Sequence, residues 1–251
     1  MNVAARRPVI APWGIDAPGM IRVNLAIAAL MLIVQLVEGA LVIGPLRIVL
    51  WLPILFCAAP GFAMLGYSIW GKPRHCNRLL ALHDWRGDEM VLDVGTGRGV
   101  LLAGAARRAL RGHAIGIDLW QAKDLSGNGA DQTRAAMDRE GVADRTGICS
   151  GDARALPLPD ESIDVVVSNL CLHNIPQKDG RALACREIAR VLRPGGVALL
   201  SDMMHLGDYA ATLRNEGLSV QRRGPWPLTT FPPLGIVMAR KSDAGASAAR
   251  S

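Results

Sequence analysis

Between Met90 and Gly99 an apolar run is closed by the carboxylate of Asp93 and followed by glycine at every second position, Gly95, Gly97 and Gly99. A loop without side chains lets a ligand come close to the backbone, and the helix that follows begins with amides that have no intrahelical partner. The dinucleotide fingerprint would need its third glycine at position 100, where Val100 stands. A second carboxylate, Asp118, closes the run that starts at His113, roughly 20 residues past the loop, where an acid can accept hydrogen bonds from both hydroxyls of a ribose. A third run leads to Ser150-Gly151-Asp152-Ala153, and a fourth ends at Ser168-Asn169. Cys171, His173 and Asn174 follow it, at the mouth where a substrate would meet the ligand. His173 is a candidate base or orienting group, with a packing role as its alternative, and Asn174 stands beside it.

These residues need elements that bring strand ends together. After about residue 76 short apolar runs alternate with amphipathic ones, the pattern of strand–helix units around a parallel sheet. Strands are expected over 89–94, 113–118, 145–150, 163–169, 196–201, 218–222 and 235–240, and helices near 98–111, 129–141, 179–191 and 207–216. The run Val191-Leu192-Arg193-Pro194-Gly195-Gly196 turns a helix into the fifth strand. The connection from Trp120 to Gly129 is long enough to fold over a bound nucleoside or to shape the substrate mouth, with Trp120 either stacked on the ligand or, the favoured reading, packed in the hydrophobic seam. Gly224 to Leu228 and Phe231 to Pro233 form a proline-stiffened connection before the last strand, either a plain loop or a lip at the site.

Upstream, Val23 to Ile43 is apolar for the ~20 residues that a helix needs to cross a bilayer, interrupted by Asn24, Gln35 and Glu38 on one side. A break at Gly44-Pro45-Leu46-Arg47 precedes a second apolar stretch, Ile48 to Ile69, with no charged residue. Together they read as a transmembrane hairpin. Arg6, Arg7 and Arg22 precede it and Lys72, Arg74 and Arg78 follow it, which places both outer ends at the cytoplasmic face; Tyr67 and Trp70 fall at headgroup level. The division is thus 1–20 a polar segment, 21–71 the hairpin, 72–241 the catalytic domain and 242–251 a disordered tail. The alternative is a pair of helices buried against the enzyme.

Half of the residues are hydrophobic, the formal net charge is +6, and the hairpin accounts for the apolar excess. The basic balance suits nucleic acid, anionic lipid or an acidic substrate without choosing among them. Cys57, Cys76, Cys149, Cys171 and Cys185 are odd in number and widely spaced, so they read as free thiols and offer no zinc or redox pair, and no metal site is expected.

From the first strand to the last, the sequence resembles the class I S-adenosylmethionine-dependent methyltransferases of small-molecule type. The landmarks are the loop from Asp93 to Gly99, Asp118, Asp152 and the turn at Pro194-Gly195-Gly196, in that order. The resemblance implies an α/β fold, a Rossmann-like seven-stranded mostly parallel sheet with helices on both faces, here preceded by the hairpin. It implies S-adenosyl-L-methionine as cofactor, with Asp93, Gly95, Gly97 and Gly99 at the methionine end, Asp118 on the ribose and Leu119 on the adenine. Asp152, with Ala153, meets the adenine amino group, and the backbone of Ser168 and Asn169 lies beneath the methionine moiety. The acceptor is expected to be a small molecule or a lipid. Enzymes that methylate exocyclic base amines carry an Asn/Asp-Pro-Pro-aromatic motif after the fourth strand, absent here, so a nucleic-acid methyltransferase is the second reading. A catalytically silent, membrane-anchored cofactor-binding protein is the third.

Overall fold

The computed structural model describes residues 11–38, 49 and 51–243. The predicted break at 44–47, Arg6, Arg7 and most of the expected tail lie outside the described residues.

The helices α1 (Pro18–Glu38) and α2 (Trp51–Gly66) pack along each other. Ile21, Ala28 and Gln35 of α1 are buried, as are Ile54, Gly61 and Met64 of α2, so seven-residue spacings form the seam. A Cβ on Gly61 would lie 2.9 Å from Leu25 Cδ2, and its absence permits the close approach. Two residues of the polar stripe of α1 therefore turn toward α2: Gln35 is buried and Asn24 lies by Gly61. Away from the seam Val23, Leu30, Leu36, Leu55, Phe56 and Phe62 are exposed, and two stretches, Pro18–Val37 and the continuous helix Trp51–Leu80, are long and apolar enough to cross a membrane.

The second helix does not stop near residue 69. It passes through a π-helical turn, Tyr67–Gly71, into α3 (Lys72–Leu80), which packs on the sheet layer that follows. Lys72, His75, Cys76, Leu79 and Leu80 are buried there, so the face of α3 that meets the sheet layer carries two basic side chains among its apolar ones. Tyr67, expected at headgroup level, is buried, whereas Trp70 is exposed.

Seven strands follow: β1 (Met90–Val94), β2 (His113–Asp118), β3 (Thr146–Ser150), β4 (Ile163–Asn169), β5 (Leu192–Asp202), β6 (Ser219–Arg223) and β7 (Gly235–Arg240). Their order is β3-β2-β1-β4-β5-β7-β6, parallel from β3 to β5, with β7 antiparallel to both neighbours. The helices between them are α4 (Val100–Ala106), α5 (Ala130–Glu140), α6 (Lys178–Val191) and α7 (Leu206–Asn215). Alternate strand residues divide the core. Leu92, Val94, Val166, Ala198 and Leu200 face α6 and α7, while Val91, Val165, Val167, Val197 and Leu199 face α3, α4 and α5. This double covering is why the inner strands read as unbroken apolar runs. β5 starts four residues before its expected position, but its pairing with β4 shifts register between Ile163 and Val165 and becomes regular at Val197, after the glycine pair.

Candidate active site

The strand order reverses between β1 and β4, and there the carboxyl ends of β1, β2, β3 and β4 open into a cleft. Asp93, Gly95, Gly97, Asp118, Leu119, Asp152, Ala153, Asn169 and Asn174 line it.

Gly95 N and Thr96 N donate to Ile117 O at 2.8 and 3.1 Å, which ties the loop after β1 to β2. Gly95 has φ +74°, and a Cβ there would lie 2.2 Å from Cys171 Sγ, so only glycine lets the turn after β4 close over the loop. Asp118 is held from two sides: Oδ2 accepts from Gly97 N at 2.8 Å and Oδ1 from Trp120 N at 2.6 Å. Its carboxylate is thereby oriented at the cleft with further acceptor capacity left on each oxygen. Asp93 is 1% exposed; Oδ2 accepts from Thr96 Oγ1 at 2.8 Å and Oδ1 has no partner. Burial, followed by the Asp118 charge, pushes its carboxyl up to about 7. Asp152 lines the cleft with its carboxylate clasped by Arg154, whose hydrogen bonds hold it below the usual carboxylate range.

Three expected residues stand off the cleft wall. Gly99 is the left-handed residue that starts α4, and a Cβ there would lie 2.5 Å from Met137 Cε; its glycine serves the packing of α5 against the loop. Ser168 is buried beneath the floor and donates to Val94 O at 2.8 Å, joining β4 to β1. His173 Nδ1 lies 2.7 Å from Asp202 Oδ1 at the end of β5, its backbone N–H donates to Asp202 Oδ2, and Tyr209 Oη donates to the same oxygen. This pins the turn that presents Cys171 and Asn174, whereas the imidazole itself is directed at Asp202. Trp120 packs at the edge, its indole N–H donating to Ser150 Oγ at 2.8 Å.

The front wall comes from a segment that the motifs did not indicate. Residues 11–17 cross the cleft as a strap and pair with the loop after β2: Ile15 N donates to Ser126 Oγ, Ser126 N to Ile15 O and Ala17 N to Asp124 O. Trp13 and Asp16 thus line the cleft together with Gln121, Asp124, Leu125 and Asn128. Lys72, 4% exposed, clamps the strap with all three ammonium protons, meeting Asp16 Oδ1 at 2.7 Å and Trp13 O and Gly14 O at 3.3 Å each. Trp13-Gly14-Ile15-Asp16 carries no period, which is why a linear reading passes over it. The proline-stiffened connection docks on α3 instead of the cleft, with Arg78 stacked 5.3 Å from the Trp226 ring centroid and bonded to Thr229 Oγ1.

No group of histidine, cysteine or acidic side chains suited to a metal ion occurs among the described residues, and the five cysteines are unpaired.

Comparison with known proteins agrees with this geometry. Residues 92–200 match the family model described as a methyltransferase domain. A ubiquinone/menaquinone biosynthesis C-methyltransferase of Roseobacter denitrificans is 32% identical over 135 residues, which cover 52% of this chain and 50% of that protein. A methyltransferase of Streptomyces halstedii is 34% identical over 129 residues, 51% of this chain and 43% of that one. The chain thus spans about half the length of these relatives. Among solved structures, a Bacillus protein called YcgJ aligns with TM-score 0.57 at 17% identity, over 68% of this chain and all of that one. The [4+2]-cyclase SpnF aligns with TM-score 0.58 at 18% identity, over 70% and 83%. The fold is that of the class I methyltransferases, and a cyclase shares it. The segment from Leu92 to Leu200 is a methyltransferase domain of the S-adenosylmethionine-dependent class, whose cofactor is S-adenosyl-L-methionine.

Proposed function

We propose that the protein is a membrane-anchored methyltransferase that moves a methyl group from S-adenosylmethionine to a small lipophilic acceptor at the cytoplasmic face. The observation that carries this reading is the front wall of the cleft. Trp13 and Asp16 lie in the strap that leads into α1, and Lys72 immediately follows the π turn that continues α2, so the feet of both apolar helices border the site.

The cleft suits the donor on its own atoms. Gly95 and Gly97 leave the backbone bare, Asp118 is oriented to accept from a ribose, and the partnerless Asp93 Oδ1 is an acceptor for a buried ammonium group. Leu119 and Ala153 would flank an adenine, with Asp152 at its amino edge, and the backbone of Asn169 would lie under the methionine moiety. Gly99 and Ser168 support the site through helix packing and strand pairing. His173 acts as a positioning residue through Asp202, and Asn174 is the side chain placed to orient an acceptor. When bound, S-adenosylmethionine supplies an electrophilic methyl group on a sulfonium. The protein then has mainly to align the nucleophile with that methyl and exclude water, which fits a cleft without a catalytic triad.

The exposed apolar surface of α1 and α2 supports a spanning hairpin, with residues 72–241 as the catalytic domain on the cytoplasmic side, where exposed Arg22 and Arg74 favour the inner leaflet. The quinone-biosynthesis names of several relatives favour an isoprenoid ring acceptor over a phospholipid amine. Calorimetry of the full chain in nanodiscs tests the donor: S-adenosylmethionine should bind, and Asp118→Ala should remove the binding. Failure of the wild type to bind would overturn the reading.

A further inference from the structure

Among the buried polar atoms around the cleft, the hydroxyl of Tyr67 and Oδ1 of Asn169 lie beside each other and have no hydrogen-bond partner elsewhere in the protein. Buried polar atoms are almost always paired, and an unpaired one in a native fold calls for an explanation. Tyr67 is 5% exposed and opens the π turn, a local irregularity of the helix that shifts the facing of the residues around it. Gly71, at the other end of the turn, makes room for its ring: a Cβ there would lie 2.6 Å from Tyr67 Cδ2. The ring is therefore fixed, and its hydroxyl is directed to the end of β4.

Strand order turns this placement into an assignment. Asp152, Asp118, Asp93 and Asn169 close β3, β2, β1 and β4 in that spatial sequence, so they mark successive positions along the cleft. A nucleoside held at Asp118 and Asp152 leaves the rest of its molecule to run past Asp93 toward Asn169. For the donor, that remainder is an α-amino acid, whose ammonium needs acceptors and whose carboxylate needs donors. Asp93 Oδ1 and Asn169 Oδ1 are acceptors at the end of β1 and β4 with capacity to spare, and the Tyr67 hydroxyl, whose neighbour is Asn169, is a donor beside them. Lys72 also lines this end, but its ammonium already serves Asp16, Trp13 and Gly14.

We infer that Tyr67, with Asn169, holds the amino-acid end of the methyl donor, so that the extension of a membrane helix is itself part of the donor site. The inference rests on the donor reading above. It means that the seating of α2 and the affinity for the donor are linked, because Tyr67 follows directly on Gly66, the last residue of that helix.

The test compares two ligands on the full chain in nanodiscs. S-adenosylhomocysteine carries the amino-acid end; 5′-methylthioadenosine carries the nucleoside and thioether without it. Tyr67→Phe should weaken S-adenosylhomocysteine about tenfold or more, as expected for loss of a hydrogen bond to a charged group, and leave methylthioadenosine within about twofold. Asn169→Ala should show the same selectivity. Because the Tyr67 hydroxyl has no partner without ligand besides its neighbour Asn169, Tyr67→Phe should change the melting temperature little, which separates its effect from misfolding. Unchanged S-adenosylhomocysteine affinity, or equal loss for both ligands, would overturn the inference. A wild type that binds neither ligand would overturn the donor reading itself, and this inference with it.

Discussion

Replacing Gly95 by alanine tests the geometry at the centre of the cleft. The new Cβ meets two costs. The residue has φ +74°, which costs a non-glycine residue about 1–2 kcal/mol. The Cβ would also lie 2.2 Å from Cys171 Sγ and 2.4 Å from Cys171 Cβ, against roughly 3.5–4.0 Å for ordinary contact. Cys171 must move by more than about 1 Å in a packed region, an overpacking cost of about 1–3 kcal/mol. Gly95→Ala should therefore lose about 2–5 kcal/mol in denaturant unfolding of the detergent-solubilised protein. The partner variant separates the two parts. Cys171→Gly leaves only its Cα, 3.7 Å from the added Cβ, so Gly95→Ala in that background should cost only the backbone part. Cys171→Ala should rescue little, since the clash with its Cβ remains. A loss below about 0.5 kcal/mol for Gly95→Ala, or equal rescue by both Cys171 variants, would refute the reasoning.

Asp93 should make stability depend on pH. Its folded value of about 7 lies above its ordinary value of 3.8, so the folded state holds the proton more tightly; the associated stability is full below about 3.8 and is lost as pH rises through 7. Asp93→Asn should flatten the fall between pH 5 and 7, which approaches 1.4 kcal/mol per unit for one group; parallel curves would reject a raised Asp93. Lys72→Met leaves Asp16 with only its bond from Ser68 Oγ and leaves two strap carbonyls without a side-chain donor, a loss of about 1–3 kcal/mol because Asp16 is partly exposed. Hydrogen exchange should quicken at Ile15, Ala17 and Ser126 while Val91 in β1 stays protected; unchanged exchange at the strap would show that Lys72 does not clamp it.

The inner strands were legible because burial on both faces leaves them almost nothing polar: Val165, Val166 and Val167 read as strand under any periodicity. The loop carboxylates were legible because each closes such a run. Glycine spacing was legible as loop geometry but not as purpose, since Gly95 serves contact across the cleft and Gly99 the packing of α5. The strap was not legible, because Trp13 to Asp16 is held by bonds to Lys72 and Ser126, more than 50 residues away, and long-range pairing leaves no local pattern. The continuation of the second helix through Lys72 was hidden by charge: a lysine beside Pro73 reads as the end of an apolar helix, yet here the strap satisfies its ammonium.

Methyl transfer itself is the most direct measurement. The full chain in nanodiscs, given S-adenosylmethionine labelled on its methyl group and a membrane lipid extract, should move label into the organic phase, and Asp118→Ala should abolish the transfer. Label that stays in the aqueous phase with active-fold protein and bound donor would contradict a lipophilic acceptor at this cleft.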